Sequence, residues 1–124
     1  AKLALTKGGC KYSQEHRYEE GYYDCSSLVQ RLYQEVGISL PAIASTQGEF
    51  MVTHGLEVTE GELEPGDLIF YSYEQNGQFR NISHVAIYVG NGRMVHAANS
   101  RRGVVNDPFN PSNIGLYGRP SRLQ

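Results

Sequence analysis

The sequence predicts an α+β domain with an antiparallel sheet, and three observations carry that expectation. The best amphipathic helix pattern falls at residues 24–36, strand-like apolar runs gather after residue 67, and two of those runs flank a hairpin signal, Gly90-Asn91-Gly92. Helices first and strands afterwards is the order of an α+β chain, not of an alternating α/β one.

Each element follows from local pattern. Residues 2–7 suit a short helix ended by Gly8-Gly9, and a polar stretch rich in Tyr and Glu, residues 11–23, leads onward. The helix at 24–36 places Cys25, Leu28, Val29, Leu32, Tyr33 and Val36 on one stripe, with Asp24 as N-cap and Gly37 just past its end. Residues 42–53, after Pro41, suit a second short helix. Glu64-Pro65-Gly66-Asp67 is a turn into Leu68-Ile69-Phe70-Tyr71, a buried strand by composition. Strands are then expected at Ser83 to Val89, Arg93 to Ala98, Gly103 to Asn106 and Ile114 to Arg119.

Composition narrows the function. A chain of 124 residues, 40% hydrophobic and 19% charged, fits one folded domain, residues 1–124. Its longest apolar run, Val85 to Val89, is far below the roughly 20 residues of a membrane-spanning helix. A net charge of −2 speaks against a dedicated nucleic-acid binder. That charge is uneven, −7 over residues 1–74 and +5 over residues 75–124, so Arg80, Arg93, Arg101 and Arg102 either form a solvated face or meet an anionic ligand. The opening residues, Ala1 to Lys7, read as the boundary of a mature or excised domain. Two cysteines in unlike contexts, Cys10 after Gly8-Gly9 and Cys25 opening a helix, do not form a disulfide framework.

Cys25 stands at the first helical position. There the free N–H groups and macrodipole favour thiolate, although many free cysteines are only small buried hydrophobes. A nucleophilic thiol needs a base, and the hairpin supplies candidates. With a three-residue loop, Gly90-Asn91-Gly92, paired residue numbers sum to 182 and His84 and His96 become diagonal neighbours on one face. A two-residue Asn91-Gly92 loop is expected to put them on opposite faces. The three side chains then read as nucleophile, general base and orienter, with the Cys25 N–H toward an oxyanion. One Cys and two His could also bind zinc, but paired short spacings such as C-x-x-C are absent from the sequence.

Tyr23-Asp24-Cys25-Ser26-Ser27-Leu28-Val29-Gln30 resembles the Asp-Cys-Ser-Gly-Leu-Val motif of the NlpC family of bacterial cell-wall cysteine peptidases. Further matches follow in family order: Gly37 to Pro41, Gln47, Leu63 to Phe70, His84 to Gly90 and Gly92 to Ala97. The resemblance runs from about Leu3 to Pro120 and implies a papain-like α+β fold with a Cys-His-His triad at Cys25, His84 and His96. It also implies substrate contacts at Tyr12, Asp24 and Ser26, where Asp24 is equally a plain N-cap and Tyr12 equally a packing residue. Pro65, Gly66 and Asp67 read as turn formers, and His16 and His54 as surface residues.

The implied activity is hydrolysis of peptidoglycan stem peptides, often at the γ-D-glutamyl–diamino acid bond, without a cofactor. The alternatives are an amidase or transpeptidase on the same fold, or a module that binds wall peptides without cutting. Partners would be peptidoglycan peptides and other domains of a larger exported, wall-associated polypeptide, with no nucleic acid and no membrane insertion. Four departures bear on specificity: Ser27 replaces the usual Gly, Ser13-Gln14-Glu15-His16 replaces Trp-Gly-Gly, Ala42 stands where Arg is common, and the loop from Glu74 to Asn81 is long.

Overall fold

The computed structural model describes residues 2–123. In chain order it forms α1 (Lys2–Leu5), β1 (Lys11–Tyr12), β2 (Tyr22–Tyr23), α2 (Cys25–Glu35), α3 (Ala44–Thr53), β3 (Glu57–Val58), β4 (Leu68–Tyr71), β5 (His84–Gly90), β6 (Arg93–Asn99), β7 (Gly103–Pro108) and β8 (Ile114–Gly118). β1 and β2 pair in parallel, while the other six strands make one antiparallel sheet in the order β3-β8-β4-β5-β6-β7. The α+β expectation holds. No helix among the described residues is long and apolar enough to cross a membrane.

Alternation along the strands gives the sheet two different faces. Leu68, Phe70, Val85, Ile87, Val95, Ala97, Val104 and Leu116 join Leu28, Val29 and Leu32 of α2 and Met51 of α3 in the main core. Ile69, Tyr71, Ala86, Met94 and Tyr117 form a second cluster on the opposite face. Leu28 and Val29 are fully buried, each worth about 1.5–3 kcal/mol over exposure. Val36 departs from the expected stripe, being 54% exposed. The helix has already ended there: Gly37, at φ 86°, turns the chain so that the N–H groups of Gly37 and Ile38 bond Gln34 O and Tyr33 O, and Ile38 is buried instead.

The hairpin corrects one expectation and keeps its consequence. Gly90 pairs with Arg93, so the loop is the two-residue Asn91-Gly92, both at positive φ, and not the three-residue loop. Yet Tyr88 pairs with Met94 and Ile87 with Val95, both at the 182 register. A bulge at Val89, made possible by Gly90 at φ 91°, absorbs the difference, and the even-numbered residues stay on one face.

Two more contacts lock the frame. The Val104 N–H bonds Cys10 O at 2.8 Å and the Gly9 N–H bonds Val104 O at 3.0 Å, joining the N-terminal segment to β7. Neither cysteine is disulfide-bonded. Asp67 forms the expected turn, its Oδ2 taking the Glu64 N–H at 2.8 Å, but it is also buried and paired with Arg119 at 2.9 Å. Losing Arg119 would leave the buried Asp67 carboxylate without its charge partner, a cost of about 3–5 kcal/mol, whereas Arg119 also keeps Glu64 at 3.0 Å.

Candidate active site

The site begins at the N-terminus of α2. Asp24 Oδ1 accepts the Ser27 N–H at 2.8 Å, and Ser27 Oγ accepts the Asp24 N–H at 2.9 Å. This reciprocal cap sets Cys25 at the first helical position. Ser27, the residue in place of the usual Gly, thus turns its hydroxyl back to the cap. Gln47 of α3, fully buried, donates from Nε2 to Ser26 O at 3.0 Å and to Pro41 O at 2.9 Å, fastening the same turn from the far side.

The thiol does not behave as the helix end alone predicts. Burial pushes Cys25 up to about 11, and the Asp24 charge adds to that; the N–H groups of Val85 and Ser26 and the Arg17 charge pull the other way. Desolvation outweighs the helix terminus, so the resting group is a thiol and not the expected thiolate.

His84 opens β5 and immediately precedes Val85, whose N–H reaches the thiol. Its Nε2 lies 2.8 Å from His96 Nδ1, with the two rings edge to face. The two imidazoles therefore share a face, as the register argument requires. Burial, then the repulsion His96 adds when both rings are protonated, lowers His84 to about 4, so it is neutral at neutral pH. The rings of Tyr71 and Tyr73 flank it at 6.0 and 6.3 Å. Burial and then the charge of Cys25 raise Tyr73, which so senses both ends of the site.

Tyr12 stands beside the thiol: burial raises it first, then the charges of Cys25 and Asp24. Ser26 is buried, and its Oγ accepts from Arg17 Nη2 at 3.2 Å. A cleft of about 450 Å³ opens here, lined among others by Arg17, Asp24, Cys25, Ser26, Asn76 and Gln78. Asn76 and Gln78 belong to the long loop before His84, which forms one wall. His16 and His54 are exposed, as expected.

Three functional candidates escaped the sequence reading. Arg17 is 3.4 Å from Asp24 Oδ2, and its Nη2 also donates to Ala42 O. A guanidinium thus arrives from residue 17 beside the position where the resemblance expects one from residue 42. Arg31 holds that segment through the carbonyls of Arg17, Glu19 and Tyr22 at 2.9, 3.2 and 2.7 Å. Asp107 Oδ2 lies 2.8 Å from His96 Nε2, and Arg102 grips Asp107 through two bonds of 2.8 and 2.7 Å. Of the four arginines singled out by charge, Arg80 meets Glu57, Arg93 meets Asn106 and Arg102 meets Asp107, so these three are committed within the protein.

Comparison with known proteins gives the family. The chain is 33% identical over 101 residues to a γ-D-glutamyl-L-lysine dipeptidyl-peptidase of Bacillus cereus, covering 81% of this chain. It is 39% identical over 101 residues to the bifunctional muramidase/DL-endopeptidase CwlT of Bacillus subtilis, covering 80% of this chain. The match spans 28% of the length of each of these relatives. Among solved structures, NlpC1 of Trichomonas vaginalis superposes with a TM-score of 0.82 at 30% identity, over 96% of this chain and 42% of that one. The family model of NlpC/P60 matches residues 8–114, and the chain belongs to the NlpC/P60 family.

Proposed function

We propose that this domain is a cysteine endopeptidase that cuts peptidoglycan stem peptides at the γ-D-glutamyl–diamino acid bond, with Cys25 as nucleophile, His84 as base and His96 as orienter. The observation that carries the reading is the 2.8 Å bond between His84 Nε2 and His96 Nδ1. It leaves Nδ1 as the nitrogen His84 can offer to the thiol, whose own hydrogen-bond donors include the neighbouring Val85 N–H. The named activities of the Bacillus relatives support the same substrate class.

Because thiol and imidazole are both neutral at rest, proton transfer accompanies attack. Sγ adds to the carbonyl carbon as His84 Nδ1 takes the thiol proton, and the Cys25 N–H stabilises the oxyanion. His84 then gives that proton to the departing amine, leaving a thioester. Water, deprotonated by His84, attacks the thioester, and the thiol recovers its proton as the new carboxyl terminus leaves. Tyr12, Asp24 and Ser26 form the substrate wall. In a γ-D-glutamyl linkage the α-carboxylate is free, and Arg17 offers a cation for it within the same cleft. We assign the domain to a longer polypeptide acting in the cell wall, in keeping with the greater length of its relatives.

Mass-spectrometric digestion of purified muropeptides by wild type and Cys25→Ala, side by side, tests this. New termini at the γ-D-glutamyl bond with wild type alone are expected. Intact muropeptides in both samples would overturn it in favour of a binding module, and cleavage elsewhere would move the activity to an amidase.

A further inference from the structure

The hydrogen-bonded chain does not stop at His96. It continues across three neighbouring strands, His84 on β5, His96 on β6 and Asp107 on β7, and ends on Arg102 at the turn into β7. His96 pairs with Val105 and Met94 with Asp107, so Asp107 is the diagonal neighbour of His96, as His84 is on the other side. Arg102 is itself fixed by its turn: Asn99 Oδ1 accepts the N–H groups of Arg101 and Arg102 at 3.0 and 2.9 Å. Side-chain exposure falls inward along the chain, from 47% at Arg102 to 20% at Asp107 and 10% at His96.

We propose that Asp107, clamped by Arg102, is a positioning residue for the reaction: it fixes the tautomer of His96 and, through it, the nitrogen on which His84 acts as base. This rests on the assignment of Cys25, His84 and His96 above. An ionised carboxylate only accepts, so the His96 nitrogen facing it, Nε2, carries a proton. A neutral imidazole has one N–H, so His96 Nδ1 is an acceptor. The His84 nitrogen facing it must then donate, and a neutral His84 is left with a bare Nδ1 for the thiol. Were His96 to hold its proton on Nδ1 instead, His84 would carry its own proton on Nδ1 and could not take another. Arg102 keeps Asp107 well below the usual carboxylate range, so the acceptor persists across the working pH range.

The groups facing this chain are few and identifiable. His96 and the rings of Tyr71 and Tyr73 face His84, the Val85 N–H next to it meets Cys25, and Asp107, held by Arg102, faces His96. Asp107 carries the negative charge paired with His96.

The test is the rate of Cys25 alkylation by iodoacetamide from pH 3 to 10, read at the Cys25 peptide by mass spectrometry, beside muropeptide turnover. Asp107→Ala is expected to slow both by about tenfold without changing KM, a fraction of what general-base catalysis supplies. Asp107→Asn retains an oxygen acceptor for Nε2 and should lose only about threefold. Both remove the same charge, so both should move the acid limb of the profile to lower pH. A purely structural role would lower the melting temperature and leave the limb in place. Wild-type rates and an unmoved limb in Asp107→Ala, which removes the acceptor altogether, at unchanged melting, would overturn the proposal. His84→Ala separates the two readings: if it alkylates and turns over like wild type, the base is misassigned and the positioning role falls with it.

Discussion

The helix end that carries Cys25 and the strands that carry the imidazoles are held by different physics. At the helix end the decisive bonds are local, between Asp24 and Ser27, three residues apart. Across the sheet they join residues 12 and 11 positions apart on adjacent strands, and each depends on register. A local cap fails by degrees, because one lost bond frays one turn. A register fails all at once, since a one-residue slip turns a whole face around. The proposed nucleophile is therefore protected by redundancy, with cap, Gln47 and Val85 all on one turn, whereas the proposed base depends on pairing.

Substitutions can break that comparison, and the largest effects belong to the reacting atoms. Cys25→Ala should abolish muropeptide hydrolysis with the melting temperature nearly unchanged, while Cys10→Ala, whose segment is held by backbone bonds, should keep its activity. Loss of turnover in Cys10→Ala at unchanged melting would assign the nucleophile to the wrong cysteine. His84→Ala should cost about 10³-fold in kcat and His96→Ala about 10²-fold, since orienting a base asks less than being one. Equal residual rates would remove the distinction between the two rings.

Smaller effects sharpen it. The proposed base must be neutral, and burial lowers His84 to about 4. Turnover should therefore hold from neutral pH down to about 5, then fall as the pH drops through about 4 and the imidazole takes its proton. A fall already centred near 6.5 would mean that burial does not control the base. On the helix side, Asp24→Ala should destabilise by about 1–2 kcal/mol in denaturant unfolding through loss of the cap. It should also raise KM, because Arg17 loses its partner; Arg17→Ala should raise KM with little change in kcat. A loss of kcat alone in Arg17→Ala would take that residue out of substrate binding.

Much of this was legible in the sequence because it rests on short-range pattern. The stripe of α2 announces the helix, Asp24 and Gly37 its limits, and the even numbering of His84 and His96 their shared face. What was not legible depended on chain geometry at a distance. The bulge at Val89 hides behind an ordinary apolar residue. Asp107 becomes a partner only when the β6–β7 register is known, and that register shifts between Ala97 and Asn99. Arg17 lies in a segment without periodicity, and its position is set by Arg31 and three carbonyls. The thiolate expectation failed for another reason: sequence identifies a helix terminus but not how deeply it is buried.

The bulge at Val89 also bears on how this hairpin tolerates insertion and deletion. With Val89 removed, Gly90 would still meet Arg93 and Tyr88 would still meet Met94, now in an unbroken ladder. The same imidazole pair would then sit at a spacing of eleven residues where this chain has 12. Removing a residue such as Ala86, inside the ladder, would instead move His84 to the helix-covered face. Length variation at the tip thus leaves the imidazole pair intact, while the same change a few residues further down turns His84 away from it.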